Sequence, residues 1–170
     1  MTNVFVVPDD ISKIKADALI TAINSGGLWF GGIDGVIKKV ADDLFHSQAR
    51  KLMSLTDGQT VVARSNGQIH KGAFVNVIFV VDDLKSPLHE IIYNGFKAAS
   101  DSGFKSVSLP TIRMGVMLGV VEKSVNEAVN EMAKGVKKFL KESPSALKSI
   151  TFVVYNDPKT QSLLQKALSL

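Results

Sequence analysis

The stretch from Ala18 to Val40, ALITAINSGGLWFGGIDGVIKKV, decides the fold. Ala18 to Ile23 is apolar at nearly every position, with Thr21 as its one polar residue. That is the pattern of a strand buried on both faces. The run breaks at Asn24-Ser25-Gly26-Gly27 and recovers through Gly31-Gly32. From about Asp34 a helix follows, with Val36, Ile37 and Val40 at helical spacing. A strand that ends in glycines and polar side chains, with a helix behind it, is how α/β proteins build ligand sites. Ligands lie outside the carboxyl ends of the strands, and the helix N-terminus offers free N–H groups to anions. No Gly-Lys-Ser/Thr follows the loop, and no G-x-G-x-x-G runs through it, so neither the Walker loop nor the dinucleotide fingerprint is present. Asn24 and Asp34 bracket the loop and are the first candidates for chemistry.

Outward from that stretch the pattern continues. Val4–Val7 is a short strand stopped by Pro8 and Asp9-Asp10, and the apolar spacing after Gly35 predicts one helix to about Met53. Thr60–Arg64 reads as a strand, Ser65-Asn66-Gly67 as a hairpin turn, and Phe74–Val81 as a second fully buried strand. Ser86-Pro87 reads as an N-cap with proline at the first helical position, opening a helix that Gly103 closes. Ser106–Leu109 is a strand, 110–119 a loop, and Val121–Leu140 a long helix. Ile150–Tyr155 is a sixth strand and Pro158–Leu168 a terminal helix. Alternating strands and helices with one hairpin predict a three-layer α/β/α sandwich with a mixed, mostly parallel central sheet, in one domain over residues 1–170. If the strand ends after Ile23, Leu109 and Tyr155 share one edge, they form one cleft.

Bulk composition sets limits on this reading. The chain has 170 residues, 45% hydrophobic and 21% charged, near globular averages. There is no cysteine, hence no disulfide framework and no thiolate metal site, which fits a reducing, cytoplasmic setting. His46, His70 and His89 lack ligand spacing, and nothing in the sequence calls for a metal or a cofactor. The opening MTNVFVVPDD has neither a basic region nor a long apolar segment, so neither a signal peptide nor a membrane span is expected. The formal charge of +4 permits attraction to polyanions. The lysines are spread over helices, as at Lys134, Lys137, Lys138 and Lys141, without an aromatic stacking platform, so specific nucleic-acid binding is not expected.

These residues resemble the macrodomain pattern. Asp10-Ile11, the strand Asp17–Ser25, and Gly31-Gly32-Ile33-Asp34-Gly35 are similar to that family's Asp-Ile pair, its D-A-I-V-N-A-A-N strand and its G-G-V-D-G loop. Asn24 and Asp34 keep the family's ten-residue separation. Leu109–Val116 is similar to its phosphate loop, and Phe152–Asp157 to its closing strand. The resemblance implies binding of ADP-ribose or an ADP-ribosylated protein, and, in its sharper form, hydrolysis of ADP-ribosyl or O-acetyl-ADP-ribose esters. It implies that Asp10 accepts from the adenine amine while Ile11 and Tyr155 flank the ring. Asn24 would contact the distal ribose, and Asp34 would lie near it as base or orienting group. Gly31, Gly32 and Ile33 would surround the diphosphate and ribose, with Gly115, Val116 and Met117 closing the other side.

The chemistry fits these roles. Glycine-rich backbone admits a diphosphate closely, and a carboxylate accepts from an exocyclic amine without donating. The sequence also departs from the pattern. Thr21 stands where the first Asn is usual, Trp29 and Phe30 where glycine is frequent, Arg113-Met114 in place of Ser-Thr, Met117-Leu118 in place of an aromatic and glycine, and Phe79 where histidine is frequent. Each change makes the cleft bulkier or more apolar. Blander roles stand beside the functional ones: turn residues at Asn24 and Asp10, a helix cap at Asp34, and core at Tyr155. Arg113 either reaches phosphate or points to solvent, and Trp29 with Phe30 form a ligand wall or a partner contact. Three functions follow: an esterase of ADP-ribosyl groups, a binding module without turnover, or a filled-cleft interaction domain.

Overall fold

The computed structural model describes residues 1–27, 32–142 and 145–170. Six strands form one sheet: β1 (Asn3–Val7), β2 (Ala16–Ile23), β3 (Thr60–Ala63), β4 (Phe74–Val81), β5 (Ser106–Pro110) and β6 (Ser149–Val153). Their order is β1-β6-β5-β2-β4-β3. Only the β3–β4 pair is antiparallel; the others are parallel. The helices are α1 (Gly32–Ala41), α2 (His46–Arg50), α3 (Leu88–Asp101), α4 (Val125–Leu140) and α5 (Pro158–Ala167).

Strand alternation explains the three layers. Along β2, Ala18, Ile20 and Ala22 face a core shared with α3, α4 and α5, while Leu19 and Ile23 face a second core with α1 and α2. β4 divides the same way: Ile78 and Val80 on one side, Val77, Phe79 and Val81 on the other. Side chains two apart share a face, so a strand between two helix layers must be apolar at every position. The uninterrupted runs at Ala18–Ile23 and Phe74–Val81 are that requirement written in sequence. Because β2, β5 and β6 are parallel neighbours, their carboxyl ends share one edge, as expected for a cleft.

Several boundaries differ from the sequence reading. The helix expected to run to Met53 is two helices, because Asp42 takes φ 47° and ends α1, after which α2 starts a new axis at His46. Ser86 does not cap α3: its hydroxyl donates to Asp57 Oδ2 at 2.6 Å, and Pro87 occupies the cap position. The long helix begins at Val125 rather than Val121, because Glu122 is drawn inward to Arg113 and Ser124 then caps the helix by accepting from the Glu127 N–H. The Ser124–Glu127 spacing carries that cap signal. β6 stops at Val153; Tyr155 lies beyond it and is 77% exposed, so it is not core. The turn at Ser65–Gly67 is as expected, with Asn66 and Gly67 both at positive φ and the Gln68 N–H bonded to the Ser65 carbonyl. Among the described residues, no helix is long and apolar enough to cross a membrane.

Candidate functional site

Two adjoining cavities open at the carboxyl ends of β2, β5 and β6. One, of about 570 Å³, is lined by Asp10, Ile11, Val36, Val153 and Tyr155. The other, of about 360 Å³, is lined by Thr21, Asp82, Arg113, Gly115 and Met117. Gly32, Ile33, Pro110, Thr111 and Met114 line both, so the two form a continuous trough between the start of α1 and the loop after β5.

At the outer end, Asp10 caps a 3-10 turn over Ile11–Lys13. Its Oδ1 accepts from the Ser12 N–H at 3.0 Å and from the Ser12 hydroxyl at 2.8 Å. Those bonds hold the carboxyl below its ordinary pKa, so it is an anion at neutral pH. Among the described residues, Oδ2 has no hydrogen-bond partner and remains available as an acceptor. Ile11 is buried at the base of the cavity, and the exposed Tyr155 stands in its wall. Ser12 was not foreseen as part of the site, although a hydroxyl two residues after Asp10 is itself a capping signal.

At the inner end the backbone supplies the polar groups. Gly32 and Ile33 are the first residues of α1, where N–H groups have no intrahelical partner. A second set belongs to the 3-10 turn Gly115–Met117, with Gly115 at φ 66°, a conformation natural to glycine. Gly31 lies outside the described residues, as do Trp29 and Phe30 and the side chain of Val116.

Arg113 takes neither of its expected directions. Its backbone sits at φ 61° and its side chain turns inward, 5% exposed as a residue. Nε and Nη2 donate to the Asp82 carboxylate at 3.0 and 2.8 Å. Nη1 donates to both Glu122 oxygens at 2.7 and 3.0 Å, and Nη2 also donates to the Ser86 carbonyl. Burial opposes the guanidinium charge, but Asp82 and Glu122 outweigh it and hold its pKa above the ordinary value. The side chain therefore anchors the loop after β5 to the end of β4 and the approach to α3. Its hydrogen-bonding capacity is spent on protein, not held out for phosphate. Neither carboxylate was recognisable in the sequence, because they come from positions 31 residues before and 9 residues after Arg113.

Asn24 and Asp34 stand on the loop's two sides, each half-buried, and neither lines the two described cavities. Asn24 begins a turn closed by the Gly27 N–H to the Asn24 carbonyl at 3.0 Å. Asp34 is in the first turn of α1. Its Oδ1 lies 2.9 Å from Nε2 of His46, which is 1% exposed and packs on Phe79 with ring centroids 5.2 Å apart. Burial pushes the His46 imidazole below its ordinary pKa, against the opposing pull of Asp34, so it is neutral at pH 7. The two groups are in close contact, but among the described residues Asp34 Oδ1 is buried without a hydrogen-bond partner. His46 had no sequence signal, since its partner lies twelve positions away on another helix.

The trough is thus a crevice at strand ends in a three-layer α/β/α protein, lined by the start of α1 and a glycine turn, with an acid at its mouth. Comparison with known proteins narrows this class. No family model matches the chain. It is 24% identical over 165 residues to a macro domain-containing protein of Streptomyces nogalater, covering 92% of this chain and 87% of that one. It is 24% identical over 177 residues to an O-acetyl-ADP-ribose deacetylase of Citrobacter rodentium, covering 99% of this chain and 96% of that one. The Trypanosoma brucei macrodomain solved with ADP-ribose superimposes with a TM-score of 0.81 at 19% identity, over 98% of this chain and 69% of that one. The fold is that of the macrodomains, and the sequence is similar, at 24% identity, to macro domain-containing proteins.

Proposed function

We propose that this protein binds ADP-ribose or a close derivative in the trough. The observation that carries the reading is the order of groups along it. An ionised Asp10 with a free oxygen stands at one end, with Ile11 and Tyr155 beside it. The N–H groups of the first turn of α1, which have no intrahelical partner, and those of the Gly115–Met117 turn follow inward. That order matches an adenine amine, a flat ring and then a diphosphate. The described lining has one cationic side chain, Arg113, and it is already neutralised, so backbone dipoles would hold the diphosphate. The similar deacetylase and the ADP-ribose-bound macrodomain support the same ligand class.

Isothermal titration calorimetry with ADP-ribose tests this directly. Saturable heat, with AMP binding more weakly at the same site, is the expected result. Silence of both ligands at millimolar concentration overturns the reading in favour of a filled cleft.

A sharper reading makes the protein an esterase of ADP-ribosyl groups, with Asn24 at the distal ribose and Asp34 as base. In its favour, Asp34 keeps a buried oxygen without a hydrogen-bond partner among the described residues, 2.9 Å from the His46 ring, which leaves the carboxylate free to accept a proton. Incubation with O-acetyl-ADP-ribose or an ADP-ribosylated protein tests it. Product release that falls at least about 100-fold in Asp34→Ala supports the role; release unchanged by Asn24→Ala and Asp34→Ala removes it.

A further inference from the structure

The outer face of α4 carries a second, chemically different concavity, well separated in the fold from the strand-end trough. It has a volume of about 600 Å³ and runs between His89 of α3 and Ala167 of α5. Lys134, Lys137, Lys138 and Lys141 line it, all exposed. Their spacing of i, i+3, i+4 and i+7 puts them on one side of the helix, spread along about 10 Å of its axis.

The charges around this groove are arranged unequally. Among the described residues, no carboxylate lies within ion-pair distance of any of the four lysines. The nearby acids have other bonded partners: Glu131 bonds the His89 ring at 2.6 Å while its charge also acts on Lys134, Glu142 bonds the Tyr93 hydroxyl, and Asp101 pairs with Lys97 at 3.5 Å. Lys138 lies over the Tyr93 ring, 4.2 Å from its centroid, which orients the ammonium without neutralising it. Lysines in the last turn of a helix offset its dipole. That accounts for Lys137 and Lys138, and for Lys141 at the C-cap, but not for Lys134, which lies nearly two turns from the end.

We infer that this groove binds the phosphate backbone of a nucleic-acid strand, without reading its sequence. Four exposed ammonium groups along one helix face, none within ion-pair distance of a carboxylate among the described residues, match a linear polyanion, whose affinity comes from releasing condensed counterions. The concavity favours a strand over a membrane, since a flat lipid surface cannot enter it. Its apolar lining, Ala133 and Ala167, also offers no large side chain for insertion. No Phe, Tyr or Trp lines the groove to stack on bases, and its one ring, His89, is bonded to Glu131, so no sequence preference is expected.

Fluorescence anisotropy of a labelled thymidylate oligomer about twenty nucleotides long, titrated at several salt concentrations, tests the inference. Four phosphate contacts predict a slope of log K against log salt near −3, an affinity loss of about 50-fold between 50 and 200 mM. Combining Lys134→Gln, Lys137→Gln, Lys138→Gln and Lys141→Gln is expected to abolish most of this binding, with the thermal midpoint near wild type. Removing four other exposed charges, at Lys51, Lys71, Lys105 and Lys148, is expected to change it by less than about threefold. Three results overturn the proposal: no anisotropy change in about 20 mM salt, equal losses in the two quadruple variants, or binding to phosphatidylserine vesicles with the oligomer silent. Calorimetry with ADP-ribose reads the trough separately, so failure at either site leaves the other unaffected.

Discussion

Asp10 shows how a single carboxylate is prepared for recognition. Ser12 occupies one oxygen and keeps the group ionised, leaving the other to accept from a ligand amine. Asp10→Ala removes a hydrogen bond to a charged group, worth about 1.5–3 kcal/mol. Calorimetry is therefore expected to show ADP-ribose binding weakened roughly 10- to 100-fold. The hypoxanthine analogue, which presents a carbonyl in place of the amine, is expected to bind the wild type more weakly by a similar factor. Arg113 is the opposite case, a charged residue whose contribution is structural. Arg113→Met leaves Asp82 and Glu122 buried without their cation, both 3% exposed or less. Breaking a buried pair in this way costs about 3–5 kcal/mol, so urea unfolding is expected to report a loss of that size. Arg113→Gly would relieve the left-handed backbone at that position, worth about 1 kcal/mol, and still lose the ion cluster.

At the scale of elements, α1 and α2 are joined through Asp34 and His46. The folded imidazole has a pKa below its unfolded value of about 6.5, so between the two values the unfolded chain holds the extra proton. The stability this group contributes is full above pH 6.5 and declines as pH falls toward the folded value. Asp34 and Asp43 favour protonation of the ring, while Lys38 and Arg50 oppose it, and burial decides the direction. Denaturant unfolding between pH 8 and 5 is expected to show this decline in the wild type and a flatter profile in His46→Gln. α3 and α4 are joined by close approach at Gly135, where an added Cβ would meet the His89 carbonyl oxygen at 2.8 Å and Ile92 Cγ2 at 2.8 Å. Gly135→Ala forces the two helices apart and is expected to cost about 1–3 kcal/mol, read as a lowered thermal midpoint.

Elements like these divide what the sequence discloses from what it hides. β2 and β4 were legible because burial on both faces leaves no room for polar residues. The trough was legible because three strand ends carried glycine or polar loops and the strands are parallel. The break at Asp42 was hidden, because the apolar spacing continues across it at helical period. The partners of Arg113 and Asp34 were hidden for a different reason: both interactions join distant elements, and neither leaves a periodic or spacing trace.

In the whole molecule the sheet separates two helix layers, with the trough at one edge and the lysine groove on the outer face of α4. Acidic groups and one neutralised cation, Arg113, line the described trough, while the groove concentrates lysines with no carboxylate within ion-pair distance among the described residues. A polyanion is therefore drawn to the groove, and only a ligand that backbone N–H groups can hold suits the trough. The most direct test is a crystal structure of the protein with ADP-ribose. The account predicts adenine between Ile11 and Tyr155, its amine donating to Asp10, and the diphosphate against the N–H groups of Gly32–Ile33 and of the Gly115–Met117 turn. An empty trough at saturating ligand, or ADP-ribose bound elsewhere on the surface, would contradict it.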